Sequence, residues 1–472
     1  MITRREALSA SFGGVALAHL LARDLSAEGR RPRPEFHGGL HHPAKVRRVI
    51  QVFLNGGASQ MDTFDYKPEL IRRHGDLVDV GLTSTATGTP GPLMKSPFGW
   101  KQHGECGRWV TDVLPHLARH VDDMAFLMAM TSRTNVHGPA SYLQTTGFLQ
   151  PGFPSCGAWV SYALGRLTDN LPAFIVLPDT RGLPYNGMGN FGSGFLPASH
   201  QATVINATGG APIPNLAPAP GATFVTPESS DDGLRLLERM NTRHADGRPG
   251  DSRLASRVAS YELAARMQLA APEAFDLARE SPATHRAYGT DRPDQAQGHD
   301  GGFARNCLLA RRLVERGVRF VQVWSGAGGP SHNWDNHANI PEELPPAARQ
   351  VDRPVAALLS DLKARGLLDD TLVIGTTEFG RMPFTQGSLG RDHNGGTFVT
   401  WLAGAGIRGG TSHGQSDAYS HRAEVDATTC HDLHATLLHL MGVDHEQLTV
   451  RHNGIDRRLT DVHGTIIHSI LV

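Results

Sequence analysis

The last third of the chain constrains its fold most, because strand-like and helix-like patterns alternate there. Phe303, Cys307, Ala310 and Val314 fall on one face of a helix that Gly317 ends. Val318 to Trp324 reads as a strand, and Val355, Leu358, Leu359 and Leu362 mark a second helix ending at Gly366. Thr371 to Gly375 follows, an uncharged run with β-branched residues that reads as a buried strand. It leads into Thr376, Thr377 and Glu378, then into a Gly-rich loop closing on Gly390-Arg391-Asp392-His393-Asn394. Phe398 to Ala403 is a further strand, and Leu433, Leu437 and Leu440 mark a helix ended by Gly442. Such alternation implies an α/β fold with a mostly parallel sheet covered by helices on both faces. Upstream, Val46 to Leu54, Met124 to Met130 and Pro172 to Pro178 read as strands, and a helix is expected around 110–121. Pro139 suits the first turn of a helix that runs on from His137 and Gly138.

A chain of 472 residues has room for one large domain or two to three ordinary ones. Its net charge of -1 supplies no bulk attraction for nucleic acid or an anionic membrane. Cys106, Cys156, Cys307 and Cys430 are far apart and form no paired motif, which excludes a zinc ribbon and leaves room for one or two disulfides at most. Residues 1–29 place Arg4-Arg5 before an apolar run, Phe12 to Ala22, and read as a twin-arginine export signal. Residues 30–45 read as a Pro-, Gly- and His-rich linker, and 46–472 as a single domain with an irregular insertion at about 180–250. Leu254, Val258, Tyr261 and Ala265 mark a helix face after that insertion. No later segment is long and apolar enough for a transmembrane helix. Export through such a signal places the protein in the periplasm or outside the cell.

Parallel α/β sheets bind ligands beyond the carboxyl ends of their strands. Loops following predicted strands here carry Asp62, His137, His332, Asp335, His337, Glu378, Asp392 and His393, with Asn135 beside them. Histidine is common, with 25 residues, so only clustered ones carry weight. Carboxylates mixed with imidazoles suit zinc, manganese or iron better than a thiolate site does. The plainer readings are loop caps for Asp62, Asp335 and His337, and a buried pair for Glu378 with Arg381. His434 and His439 lie in an amphipathic helix and read as structural, while His413 and Asp417 form a loop pair.

The runs NGGASQMDTFDYKP, HGPASYLQTTG, WDNH, RGLLDDTLVIGTTEFGRMP, GRDHN and DLHATLLHLMGVDHEQL resemble a secreted bacterial family known as domain of unknown function 1501. The resemblance covers nearly the whole chain after the linker. It implies a three-layer α/β/α sandwich related to sulfatases and alkaline phosphatases, with a metal site at the carboxyl edge of the sheet. It implies no substrate. Against those more distant enzymes the site positions depart. Asn55 stands where a metal-binding Asp is expected, and Phe379 where a metal-binding His is expected. His137 occupies the place of the nucleophile, and Ser141 that of an Arg. His393 matches the last metal His, and Asp392-His393-Asn394 is similar to an Asp-His-Thr unit of phosphopentomutases.

Two expectations result. In the first, the protein is an exported metal-dependent hydrolase acting on a phosphate or sulfate ester, a saccharide ester included. Asp335, His337 and His393 hold one ion, and Glu378, with help from Asp62 or His137, completes it or holds a second; Asp392 is a further candidate ligand. Arg381 or Arg391 neutralises the anion, and His137 is a ligand or a nucleophile. The ion is zinc, manganese, iron or calcium. In the second, the old site is a ligand pocket of a non-catalytic binding or assembly protein, which needs no metal.

Overall fold

The computed structural model describes residues 40–79, 89–205, 273–291, 301–329 and 333–472, with a few positions between 236 and 244. The expected export signal, the helix face at 254–265, His332 and most of the 180–250 insertion lie outside the described residues.

Eight strands form the central sheet: β1 (Arg48–Leu54), β2 (Met124–Met130), β3 (Phe174–Leu177), β4 (Thr203–Val204), β5 (Phe320–Ser325), β6 (Thr371–Thr377), β9 (Phe398–Gly404) and β10 (Thr411–His413). Between β6 and β9 lies a hairpin of β7 (Gly380–Gln386) and β8 (Gly390–Asn394). The sheet order is β10-β2-β9-β6-β1-β5-β3-β4. All of its strands run parallel except β9, which is antiparallel to both β6 and β2. Among the described residues the five longer helices are α1 (His137–Thr146), α2 (Cys156–Leu164), α3 (Gly302–Glu315), α4 (Ile340–Ala364) and α5 (Cys430–Leu440).

Strand β1 shows why three layers form. Its alternate side chains go to opposite faces, and both faces are buried. Ile50 and Val52 join one core with Leu308, Leu309 and Leu313 of α3 and Val355, Leu358 and Leu362 of α4. Val49 and Phe53 join another with Trp159 of α2 and Leu433 and Leu437 of α5. A sheet buried on both sides is stabilised from both, at roughly 25 cal/mol per Å² of apolar surface removed from water. The arrangement is the α/β/α sandwich expected. Among the described residues no helix is long and apolar enough to cross a membrane. All four cysteines are free thiols, so none forms a disulfide.

Two local expectations are corrected. The helix expected around 110–121 is a strand, Arg108–Thr111, paired with Trp100–His103, followed by a 3-10 stretch, Leu117–Asp123. Pro115 lacks the N–H an α-helix would need there, and Asp352 of α4 accepts from His116 and Leu117 N–H instead. The Gly-rich loop after Glu378 is the β7–β8 hairpin, turning at Gly387, whose φ of 60° suits glycine.

Candidate metal centre

Three segments meet beyond the carboxyl edge of the sheet. His137 opens α1, with extended Val136 before it. Asp335 and His337 lie in the loop after β5. That loop is pinned by buried Trp334, whose N–H donates to Asn55 O (3.0 Å) and whose indole N–H donates to Ser325 Oγ (3.1 Å). Gly56 lets the loop close on the end of β1: a Cβ there would sit 2.6 Å from the Asp335 backbone nitrogen. His393 stands in β8 at a break in register between Arg391 and His393, a bulge that re-aims a side chain.

The four side chains converge. Asp335 Oδ1 lies 3.2 Å from His137 Nε2, 2.8 Å from His337 Nε2 and 3.0 Å from His393 Nε2. His337 Nε2 and His393 Nε2 are 2.8 Å apart. One ligand atom from each residue falls within 4.8 Å of all the others, comparable with twice a zinc–nitrogen or zinc–oxygen bond of about 2.0–2.2 Å. Each imidazole is held from behind through Nδ1. His137 Nδ1 is 2.7 Å from Glu378 Oε1, His393 Nδ1 is 2.8 Å from Asn135 O, and His337 Nδ1 contacts Gln386 Oε1. A carboxylate and a backbone carbonyl only accept, so Nδ1 of His137 and His393 carries the proton. In the neutral ring Nε2 then presents a lone pair inward. This is how metal-binding histidines are oriented by an outer shell.

The electrostatics agree. Burial alone would raise the Asp335 pKa, but the three imidazoles and Arg381 hold it far below the usual carboxylate range. Burial opposes a proton on His137, yet Asp335 and Glu378 outweigh it and raise that pKa. Burial lowers His393, with Arg381 and His137 adding to it against the pull of Asp335. Three inward lone pairs and a carboxylate repel one another unless a cation or proton lies among them. His137 Nε2, although 3.2 Å from Asp335 Oδ1, is outside hydrogen-bond geometry and is a buried nitrogen with no hydrogen-bond partner. The donor set therefore fits a divalent ion, and three nitrogens with one oxygen suit a first-row transition metal better than calcium.

The other predicted residues lie around this cluster rather than in it. Glu378 is fully buried behind His137 and also accepts from Gly56 N–H (2.8 Å). Asp62 is buried in a two-pronged pair with Arg391 (Nε 2.7 Å, Nη2 3.1 Å) and receives the Ser59 hydroxyl. Arg391 also donates to Met382 O and Met94 O. Arg381 donates to Asp335 Oδ1 (2.6 Å), Gly57 O (2.7 Å), Arg391 O (3.1 Å), Trp334 O (3.2 Å) and Gly56 O. Both guanidiniums are thus bound within the protein. Asp392 is buried and caps its neighbour's N–H, 2.7 Å from His393 N. Asn55 spans the loop after β5, donating to Gly326 O and Ala327 O.

Tyr185 and Gln386 went unread in the sequence, and Phe379, noted there as a departure from a metal ligand, is a wall of the site. The Tyr185 ring lies on the His137 ring at 4.3 Å and 7°, and burial, with the Asp335 charge, pushes its pKa up to about 12, so it stays a neutral phenol. Phe379 packs against His137 and His393, with ring centroids 4.9 and 4.7 Å away. Gln386 holds His337. Tyr185 lies in a stretch with no metal-ligand spacing, and Gln386 carries no charge, so no pattern marked either.

Solved structures that match in shape include the PsFucS1 sulfatase from Pseudoalteromonas sp., 13% identical over 94% of this chain and 73% of that one, with a TM-score of 0.34. The lipoteichoic acid synthase LtaP from Listeria monocytogenes is 9% identical over 96% and 82%, with a TM-score of 0.35. The alkaline phosphatase of the Antarctic bacterium TAB5 is 11% identical over 77% and 92%, with a TM-score of 0.29. No curated protein matches the chain. Residues 46–471 match the family described as "Protein of unknown function (DUF1501)", and the chain belongs to that family.

Proposed function

We propose that the protein is an exported hydrolase of phosphate or sulfate esters, working with one divalent first-row ion held by His137, Asp335, His337 and His393. The observation that carries this reading is the meeting of three Nε2 atoms and Asp335 Oδ1 within 4.8 Å, each ring held from behind through Nδ1. A divalent ion held by His137, Asp335, His337 and His393 would supply Lewis-acid polarisation of an ester oxygen and would lower the pKa of a water bound to it. His137 acts as a ligand and not as a nucleophile, because its Nε2 already faces Asp335. Arg381 orients Asp335. Phe379 and Tyr185 pack against the His137 ring and hold it in place. Export is supported by the Arg4-Arg5 leader.

The test is metal analysis of the purified full chain after saturation with zinc, manganese, iron or calcium, followed by a panel of phosphate and sulfate esters. One transition ion per chain and turnover of at least one ester are expected, both lost in Asp335→Asn while the circular dichroism stays native. No bound ion under any of the four conditions overturns the reading. A second reading, a metal-bearing binding protein without turnover, is favoured by one observation. Arg381 and Arg391, the cations nearest the cluster in sequence, are both engaged within the protein. Stoichiometric metal with no hydrolysis of any ester selects it.

A further inference from the structure

The four segments that frame the centre share a property that metal binding does not require. Residues 134–142 (TNVHGPASY), 182–190 (GLPYNGMGN), 336–341 (NHANIP) and 386–389 (QGSL) contain no Lys, Arg, Asp or Glu, in a chain where 19% of residues are charged. The charged residues bordering them in sequence include Arg133, which is exposed, and Arg181, which Asp179 holds in a two-pronged pair at 2.7 Å.

Large apolar side chains stand exposed on the same segments. Val136 adjoins His137 and is 56% exposed. Leu183 and Met188, 39% and 43% exposed, flank Tyr185, whose ring covers His137. Leu389, 43% exposed, is bridged to Asn339, two residues beyond His337. Single exposed apolar residues are ordinary, but four on the uncharged segments that carry or adjoin residues of the centre point to a ligand. The segment 182–190 is fixed there, not draped. Asn186 Nδ2 donates to Gly138 O (2.6 Å), the Tyr185 hydroxyl donates to Gly329 O (2.9 Å), and Gly328 N–H donates to Leu183 O (2.8 Å).

A cation held among His137, Asp335, His337 and His393 would meet the anionic end of a ligand. We infer that the substrate is an ester whose other group is apolar, alkyl or aryl. Its anionic end meets the ion, and its apolar end lies on Val136, Leu183 and Met188. A polysulfated saccharide or a nucleotide would bring further charges to framing segments that carry none to meet them. This inference rests on the metal reading above.

The test uses the zinc-loaded full chain and two non-hydrolysable probes, octylphosphonate and methylphosphonate, with binding followed by calorimetry and zinc measured in the same sample. Octylphosphonate is expected to bind at least about tenfold more tightly. The double variant Leu183→Ser/Met188→Ser is expected to lose most of that preference while keeping its zinc and its methylphosphonate affinity. Equal affinities in a sample with one zinc per chain overturn the apolar rim and leave the centre standing. So does an unchanged preference in the double variant. A sample without zinc overturns the metal reading, and this inference with it.

Discussion

Asp335 Oδ1 faces three imidazoles and a guanidinium, and its neighbours explain what reads clearly from sequence and what does not. The spacing Asp335-x-His337 and the Asp392-His393 pair marked two of the three arms, because ligands close in sequence leave a pattern. Which carboxylate coordinates and which stands behind was not legible. Glu378 serves His137 from 241 positions away, and Asp62 meets Arg391 across 329. Both relations exist only once the sheet has formed. At this scale the outer shell should be measurable. Glu378→Gln removes the charge behind His137 but keeps an oxygen that can accept from Nδ1. Zinc affinity, measured by competition with a chelator, is expected to fall about tenfold, the lower end for such partners. An affinity equal to that of the native protein would show that Glu378 does not tune the site.

Among the elements, α5 carries the clearest dependence on pH. His434 is buried there, with Nε2 3.0 Å from Gln144 O, and burial lowers its pKa to about 3. The unfolded chain takes up this proton near 6.5, while the folded protein refuses it until about 3. The stability it contributes is therefore complete above about 6.5 and is lost as pH falls toward 3. Between pH 7.5 and 5.5 the loss from this residue is on the order of 1 kcal/mol. Denaturant unfolding at the two pH values should show that loss in the native chain and not in His434→Gln. A difference between the two proteins that stays constant with pH would refute it. The sequence placed His434 on an amphipathic helix and read it as structural, since the apolar period was plain. The β7–β8 hairpin was not legible, because its glycines resemble those of a loop and its buried arginines resemble surface charge. Only their partners, supplied by other segments, make those residues interior.

For the whole molecule, alternation of periods was enough to specify layers, because parallel strands need covered faces. Strand direction was not encoded in that pattern, and β9 proved to run against its neighbours. A signal was present in the connection: only Gly395, Gly396 and Thr397 separate β8 from β9, far too few for a crossover to the opposite edge. The reversal has a mechanical consequence for the hairpin that bears Arg381 and His393. It leaves the sheet from the end of β6 and re-enters at the start of β9, both on one edge and hydrogen-bonded to each other as neighbours. It is a beam clamped at both supports, not a flap on a hinge. Amide hydrogens of 380–382, 384–386 and 390–394 should therefore exchange as slowly as those of β6 and β9, with the ion present or stripped by a chelator. Exchange at the rate of the exposed turn residues 387–389 would show that the clamp does not hold. With the clamp in place the backbone fixes where the ion sits before the ion arrives, and swapping one metal for another should leave this scaffold unmoved.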